Sequence, residues 1–297
     1  MIVSGGPGSG KSALLRYFRH EAGKNGMLAP YVKVEKGESE TALSEKIFHE
    51  AAMLSGLERS GPPPGGLDKT FQALGRFVRK GFGAVVLIDD LDLLRKADGA
   101  LGRIAAILKE GWGRREVAVV VSTTREMDAG AELSTMVALR PFGEHEAREM
   151  VEKALKKGPP KMGDECLNSI LSDSGGNPRL IKSLCRMIYE RLRDNEKVIT
   201  KGHYLAYLPQ MMSALSREWF GRMYQETPTA ERLILHALAR SEDGMHVSDV
   251  ARTLDRPLGP VTALTRRLLD SGQIVRVDRG KYRVFSKLYA RYVNQRG

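Results

Sequence analysis

The residues from Gly5 to Ser12, Gly-Gly-Pro-Gly-Ser-Gly-Lys-Ser, set a lysine and a hydroxyl directly behind a run of glycines. That order suits phosphate. A loop from Gly6 through Pro7, Gly8, Ser9 and Gly10 to Ala13 can wrap phosphate oxygens with backbone N–H groups, and glycine allows the positive-φ turns and the close approach. Lys11 supplies a mobile point charge for β- and γ-phosphates, Ser12 a hydroxyl for Mg²⁺, and the following helix its positive end. Ile2 and Val3 precede the loop, and Leu14, Leu15 and Phe18 follow at helical spacing. Strand, phosphate loop and helix is the context that gives the Gly-x-x-x-x-Gly-Lys-Ser pattern its meaning.

A second group of chemical residues closes an apolar run. Gly83-Ala-Val-Val-Leu-Ile ends in Asp89 and Asp90, with Asp92 two positions on. An uninterrupted apolar strand is buried on both faces, and in a parallel sheet ligands sit at the carboxyl ends of the strands. Asp89 is therefore placed beside the phosphate loop as a Mg²⁺ ligand, and Asp90 as the group that orients or deprotonates an attacking water. A third such run, from Val117, ends in Ser122-Thr123-Thr124-Arg125. Thr123 and Thr124 can donate hydrogen bonds to a γ-phosphate or to the water, and Arg125 can stabilise its charge. A solvated turn arginine is an equally good reading of Arg125.

These side chains need an α/β scaffold. After the first helix, 27–35 reads as a strand, and Leu43, Ile47, Ala51 and Leu54 repeat at three and four, so a helix follows from Glu40. Ser60-Gly-Pro-Pro-Pro-Gly-Gly66 breaks regular structure, a helix covers 67–80, and another covers 101–109 before Arg114-Arg-Glu. Met136 to Leu139 is the last strand of a five-stranded parallel sheet. From Pro141 the pattern turns helical, with no strand expected until near the C-terminus. Within this segment Gly175-Gly-Asn-Pro178-Arg179 ends one helix and opens another, with Pro178 at its start. Arg179 can reach toward bound phosphate from there, although standing alone it would read as a solvated first-turn arginine.

The C-terminal third changes character again. Thr227 or Thr229 can cap a helix over 231–239, two short capped helices flank the turn at Asp255 to Gly259, and a hairpin turns at Asp278-Arg-Gly280. Together they read as a winged helix-turn-helix, with a final helix from Lys287 to Val293. From Pro228 onward there are 11 arginines and 2 lysines against 7 acidic residues, a net charge of +6. Arg266, Arg267, Arg276, Arg279 and Lys281 fall on the second helix and the wing, where double-stranded DNA would meet them. The rival is a winged helix packed on the core or on a protein partner, including self-association, with its charges solvated.

Composition narrows the field. The whole chain carries 47 basic and 36 acidic residues, net +11, which favours a polyanionic partner. Cys166 and Cys185 are too few for a disulfide framework and lack metal-ligand spacing, so reduced thiols are expected. No apolar stretch is long enough to cross a membrane, and Met1 leads directly into the first strand without a signal peptide. The expectation is a soluble, cytoplasmic protein.

In their order, Gly5 to Ser12, Ile88-Asp89-Asp90, Ser122-Thr-Thr-Arg125, Leu139-Arg-Pro-Phe142 and Gly175-Gly-Asn-Pro178 resemble the AAA+/STAND class of P-loop ATPases, particularly archaeal-type ATPases with a C-terminal winged helix. The resemblance implies ATP and Mg²⁺ as ligands, Thr-Thr-Arg125 as the sensor 1 region, Gly-Asn-Pro178 as a lid motif near the adenine and ribose, and Arg179 as sensor 2. It implies a P-loop NTPase core over 1–140, a helical lid over 141–209, and a connector helix with a winged helix-turn-helix over 210–297. Two departures matter. Asp90 stands where most members have glutamate, and its reach is shorter by roughly 1.5 Å, one C–C bond, so slow hydrolysis is expected. The first strand also begins at Ile2, so either the true start lies upstream or the base pocket is open on one side. The expected activity is an ATPase switch or remodeller acting on DNA. The alternative is a STAND-like signalling ATPase whose winged helix makes protein or autoinhibitory contacts, and a small-molecule kinase ranks third.

Overall fold

The computed structural model describes residues 1–297 apart from 58–60, 62, 64, 79–81, 110–116, 126, 128–134, 156–159 and 194. The expected breaker loop at 60–66 in part, residues 79–80 of the expected 67–80 helix and the Arg114-Arg-Glu segment lie outside the described residues; the described part of that helix already ends at Leu74, where Gly75 is its C-cap. Contacts divide the chain into two compact units, Met1–Gly5 with Gly10–Leu139, and Gly6–Ser9 with Arg140–Gly297.

In the first unit, β1 (Ile2–Ser4), β2 (Tyr31–Lys33), β3 (Ala84–Asp89), β4 (Val117–Thr123) and β5 (Met136–Ala138) form one sheet in the order β2-β3-β4-β1-β5. Every pair is parallel. The helices are α1 (Lys11–Lys24), α2 (Glu40–Ser55), α3 (Leu67–Leu74) and α4 (Ala97–Lys109). Leu43 and Ile47 of α2, Leu67, Phe71 and Leu74 of α3, and Leu101 and Ile104 of α4 pack with Val86, Ile88 and Val121 in one cluster. Leu15 of α1 packs with Val3, Leu87 and Val120 in another. The sheet is thus covered on both faces, which is why its central strands read as continuous apolar runs. Register then sets the chemistry, because Lys33 pairs with Asp89 and Ser4 with Thr123, forming one row along the carboxyl ends. β2 is shorter than the 27–35 run predicts. Before it Leu28 makes an isolated bridge to Ala84, and Pro30 O accepts from Leu87 N at 2.9 Å.

The second unit contains α5 (Glu144–Leu155), β6 (Lys161–Met162), α6 (Asp164–Ser174), α7 (Pro178–Tyr189), β7 (Val198–Ile199) and α8 (Lys201–Leu215). A π-turn at Ser216–Phe220 joins α8 to α9 (Gly221–Gln225), and α10 (Thr229–Ala239) follows. β6 and β7 pair in parallel, which corrects the expectation of no strand here. Two residues each are too few to show an alternating pattern. The expected boundary at 209/210 falls inside α8, with Pro209 in the helix interior. Leu205, whose carbonyl loses its i+4 donor to Pro209, is 54% exposed, so water can replace that bond.

β8 (Met245–His246), α11 (Val247–Thr253), α12 (Leu258–Asp270), β9 (Ile274–Asp278), β10 (Lys281–Val284) and α13 (Lys287–Asn294) complete the unit. The sheet order is β8-β10-β9, antiparallel, with the turn at Asp278–Lys281 as expected and β8 as a strand that the pattern did not reveal. The expected threonine caps of α10 are absent. Its N-cap is Pro228, and the buried Thr227 hydroxyl bonds instead to Met223 O (2.8 Å) and Gln273. A single core runs from Ala147 through Trp219 and Phe220 to Val293. Within it Tyr204 donates to Asp173 at 2.6 Å, and Arg291 of α13 reaches the same carboxylate at 3.2 Å. Cys166 and Cys185 are free thiols, both pushed up by burial, to about 11 and about 12.

Candidate nucleotide-binding site

The loop after β1 has the backbone that its glycines predict. Gly8 and Gly10 have φ of 78° and 103°, and Gly10 is the left-handed N-cap of α1, a conformation that a side chain would strain. Lys11, the first residue of α1, is buried, and its Nζ donates to Gly5 O at 2.6 Å. Burial pulls its pKa down, against the fields of Asp90, Asp92 and Asp89. Ser12 is half-buried, and Ala13 faces solvent.

Asp89, at the end of β3, is fully buried. Tyr31 donates to its Oδ2 at 2.7 Å and Ser122 to its Oδ1 at 2.5 Å, and Ser12 bonds to it as well. Burial would raise its pKa, but the three hydroxyls outweigh burial and hold it below the usual carboxylate range. Tyr31 responds in the opposite sense, its phenol pushed up to about 12 by burial and by Asp89. Asp90 then turns out of the strand with φ 58°, left-handed backbone that aspartate tolerates better than most residues. Its N–H donates to Ser122 Oγ at 2.8 Å, and its carboxylate lies 3.4 Å from Lys33 Nζ. Asp92 accepts from Thr124 N at 3.0 Å and has its pKa raised by burial. Tyr31, Lys33, Asp92 and Ser122 are the members of this cluster to which sequence reasoning gave no role.

Thr123 is fully buried, and among the described residues its Oγ1 has no hydrogen-bond partner; the buried hydroxyl oxygen of Ser9 in the loop likewise has none. Buried hydroxyls seldom stay unsatisfied, so each calls for an oxygen ligand. Ser12 with Asp89 is a hard oxygen donor pair that fits Mg²⁺, and among the described residues no group of three or more His, Cys, Asp or Glu could enclose a metal. A magnesium ion with two protein ligands takes its remaining ligands from phosphates and water, so the residues fit a nucleotide-borne metal. Arg125 is engaged elsewhere, its guanidinium on the Asp98 carboxylate at 2.9 and 3.0 Å.

In the second unit, Asn177 caps α7 by accepting from Arg179 N and Leu180 N, and its Nδ2 donates to Pro7 O at 2.8 Å. Arg179 N also lies 3.2 Å from Gly8 O. Pro178 is the first residue of α7, as expected. Of the basic residues assigned to DNA, Arg266, Arg267, Arg276 and Arg279 are exposed and Lys281 is half-buried. Arg267 lies 3.8 Å from Glu231, and Arg276 Nε donates to Asp278 O at 3.3 Å.

A parallel five-stranded sheet with a glycine loop entering α1 and an aspartate ending β3 fits a P-loop NTPase. Residues 1–129 match the model of the AAA domain family. The fold is similar to that of the Walker-type ATPase of Pyrococcus abyssi, at 14% identity and a TM-score of 0.72 over 99% of this chain and 90% of that one. It is also similar to ORC1 of Aeropyrum pernix, solved in complex with DNA, at 16% identity and a TM-score of 0.50 over 99% and 86% of the two chains. The Holliday junction branch migration motor RuvB of Thermotoga maritima matches at 17% identity and a TM-score of 0.50, over 98% and 86%. No curated protein sequence matches this one. Residues 1–129 are thus similar to an AAA domain, and the chain shares its fold with these ATPase structures. No helix among the described residues is long and apolar enough to cross a membrane.

The carboxylates make a prediction about the metal. Lys11 feels Asp89, Asp90 and Asp92 against one other cation, Lys33. A triphosphate entering without a divalent ion meets excess negative charge. Chelating Mg²⁺ should weaken ATP by at least about tenfold, equivalent to one partly screened charge contact of roughly 1.4 kcal/mol. Calorimetry with and without EDTA measures this, and equal affinities would contradict the assignment of Ser12 and Asp89.

Proposed function

We propose that the chain is a slowly hydrolysing, cytoplasmic ATPase switch that couples its nucleotide state to binding of double-stranded DNA. The observation that carries the ATPase half is the pairing of Ser12 with the buried Asp89, beside the partnerless hydroxyl of Thr123. Lys11 and the amides of the loop bind phosphate, and Ser12 and Asp89 hold Mg²⁺, which when bound neutralises phosphate charge. Asp90 orients the attacking water, Thr124 hydrogen-bonds it, and Arg125 reaches the site by exchanging Asp98 for phosphate. Pro178 lies against the base side of the nucleotide, and Arg179 senses its phosphates.

For the DNA half, α10, α11 and α12 with the β8-β10-β9 sheet are read as a winged helix. The exposed Arg266 and Arg267 on α12 and Arg276 and Arg279 on the hairpin support contact with phosphates. The fold shared with a DNA-bound ORC1 and with a branch migration motor is consistent with that reading. If those four arginines and Lys281 each neutralise one phosphate, log K against log salt should have a slope of about −4 to −5, and replacing Arg266 or Arg276 by Ala should reduce it by about 1. The measurement is a duplex titration at several salt concentrations, with ATP and with ADP. Failure to bind duplex at low salt in either state would overturn the DNA half.

One contact favours the autoinhibited, protein-binding alternative. Gly272, between α12 and β9, leaves no room for a side chain, since a Cβ there would lie 2.1 Å from Pro7 Cδ. A C-terminal element held against the phosphate loop is the arrangement that a STAND-like switch requires. In that case protein capture would depend on nucleotide while duplex binding would be absent.

A further inference from the structure

Arg179 feels the field of the Glu218 carboxylate but does not pair with it. Among the described residues its guanidinium makes no ion pair, and its carbon lies 4.4 Å from the centroid of the Trp219 ring. An exposed arginine ordinarily takes a carboxylate or water, whereas this one lies flat on an indole face. The ring is well anchored. Trp219 is only 8% exposed, with ring centroids 5.6 Å from Phe220 and 5.7 Å from Phe285. It is carried by the π-turn at Ser216–Phe220, a widened turn of the kind that helices use to redirect a side chain at a functional position.

Arg179 and Trp219, together with Asn177, enclose Gly8, which clusters with this unit. A Cβ on Gly8 would fall 2.7 Å from Asn177 Oδ1, 2.9 Å from Arg179 Cβ and 3.1 Å from Trp219 Cη2. The indole therefore supports a cation whose own stem lies against the phosphate loop. A guanidinium paired with a carboxylate would have to break a charge pair to meet a phosphate. One resting on an aromatic face gives up far less and keeps its charge available.

We propose that Trp219 is a positioning residue for nucleotide recognition, a platform that holds the Arg179 guanidinium beside the phosphate loop, already in place for the γ-phosphate of ATP. The proposal rests on the reading of Arg179 as the phosphate sensor. It adds a residue from outside the motif and a reason for its position. With ATP the guanidinium keeps the indole face and turns its N–H edge to the γ-phosphate, and with ADP that edge has no such partner.

The test uses the full-length protein and two replacements that fill the core differently. Phe keeps a π face and Leu keeps only apolar volume. Trp219→Phe should bind ATP within about twofold of the parent protein, whereas Trp219→Leu should weaken ATP about three- to tenfold and ADP by less than twofold. Equal ATP affinity in the Phe and Leu variants would make Trp219 a core residue and overturn the proposal. A spectroscopic arm uses Trp112→Phe, which leaves Trp219 as the one tryptophan of the two in the sequence. Its emission should change with ATP and stay nearly constant with ADP, and the ATP response should disappear in the double variant with Arg179→Ala. An identical response to both nucleotides would overturn the platform role. If Arg179→Ala leaves the ratio of ATP to ADP affinity unchanged, the sensor reading itself fails, an outcome distinct from a failure confined to Trp219.

Discussion

Lys11→Ala should weaken ATP by roughly 30-fold to 3,000-fold. This is the span expected when one partner of a buried, hydrogen-bonded charge pair is truncated, about 2 to 5 kcal/mol at 1.4 kcal/mol per decade. Lys11 is buried at 6% exposure, so it is a preformed part of the loop and not a surface cation that swings in. Its bond to Gly5 O aims the ammonium group before any ligand arrives. Replacement has opposing effects on stability, since it removes a cation disfavoured by burial and leaves Asp89, Asp90 and Asp92 with less countercharge. The thermal midpoint should therefore move by less than about 4 °C, the shift produced by about 1 kcal/mol in a chain of this class. Calorimetric ATP affinity equal to that of the unmodified protein would remove the phosphate-loop assignment.

Asp90→Asn should lower turnover by about 100-fold or more, the range of a positioned acid–base group, while ATP affinity changes by less than about threefold. The replacement is gentle on the backbone. Asp90 holds φ 58°, and asparagine accepts the left-handed region at least as readily as aspartate. Its N–H bond to Ser122 is made by the main chain and survives. What disappears is a carboxylate 3.4 Å from Lys33, so the change isolates the charge proposed to activate water. Loss of binding in parallel with turnover would make Asp90 part of the metal site, and loss of neither would make it structural. Single-turnover hydrolysis and calorimetry on the same preparation distinguish the three.

The parts of the fold that the sequence displayed are those dictated by local chemistry. Glycines at positive φ, an apolar strand ending in Asp89 and a helix opening at Pro178 each lie within a few consecutive residues. The parts it concealed depend on sheet order. Tyr31, Asp89 and Ser122 are far apart in the chain and meet because β2, β3 and β4 are neighbours, which no spacing rule records. Asp92 was in view beside Asp90, but its partner, the Thr124 amide, belongs to another strand. Lys11 reads as a mobile point charge behind a glycine loop, and loops usually face water. Here its position as the first residue of α1 carries it inward. Residue 209 closes the expected helical lid, yet α8 continues past Pro209. The pattern shows which types of residue are present, whereas burial and partners are properties of the assembled sheet and core.

The unbroken path from α8 through the π-turn to α9 has a mechanical consequence. From Lys201 to Gln225 the backbone stays helical, and at 1.5 Å per residue it forms a rod of at most about 37 Å. A tilt of about 10° at one end would displace the other by roughly 6 Å on that length. Because Asp173 of α6 accepts from both Tyr204 of α8 and Arg291 of α13, α13 would be carried with the rod instead of lagging behind it. A rotation of that size would thus become a displacement comparable to one helical turn, geared by the length of a single lever.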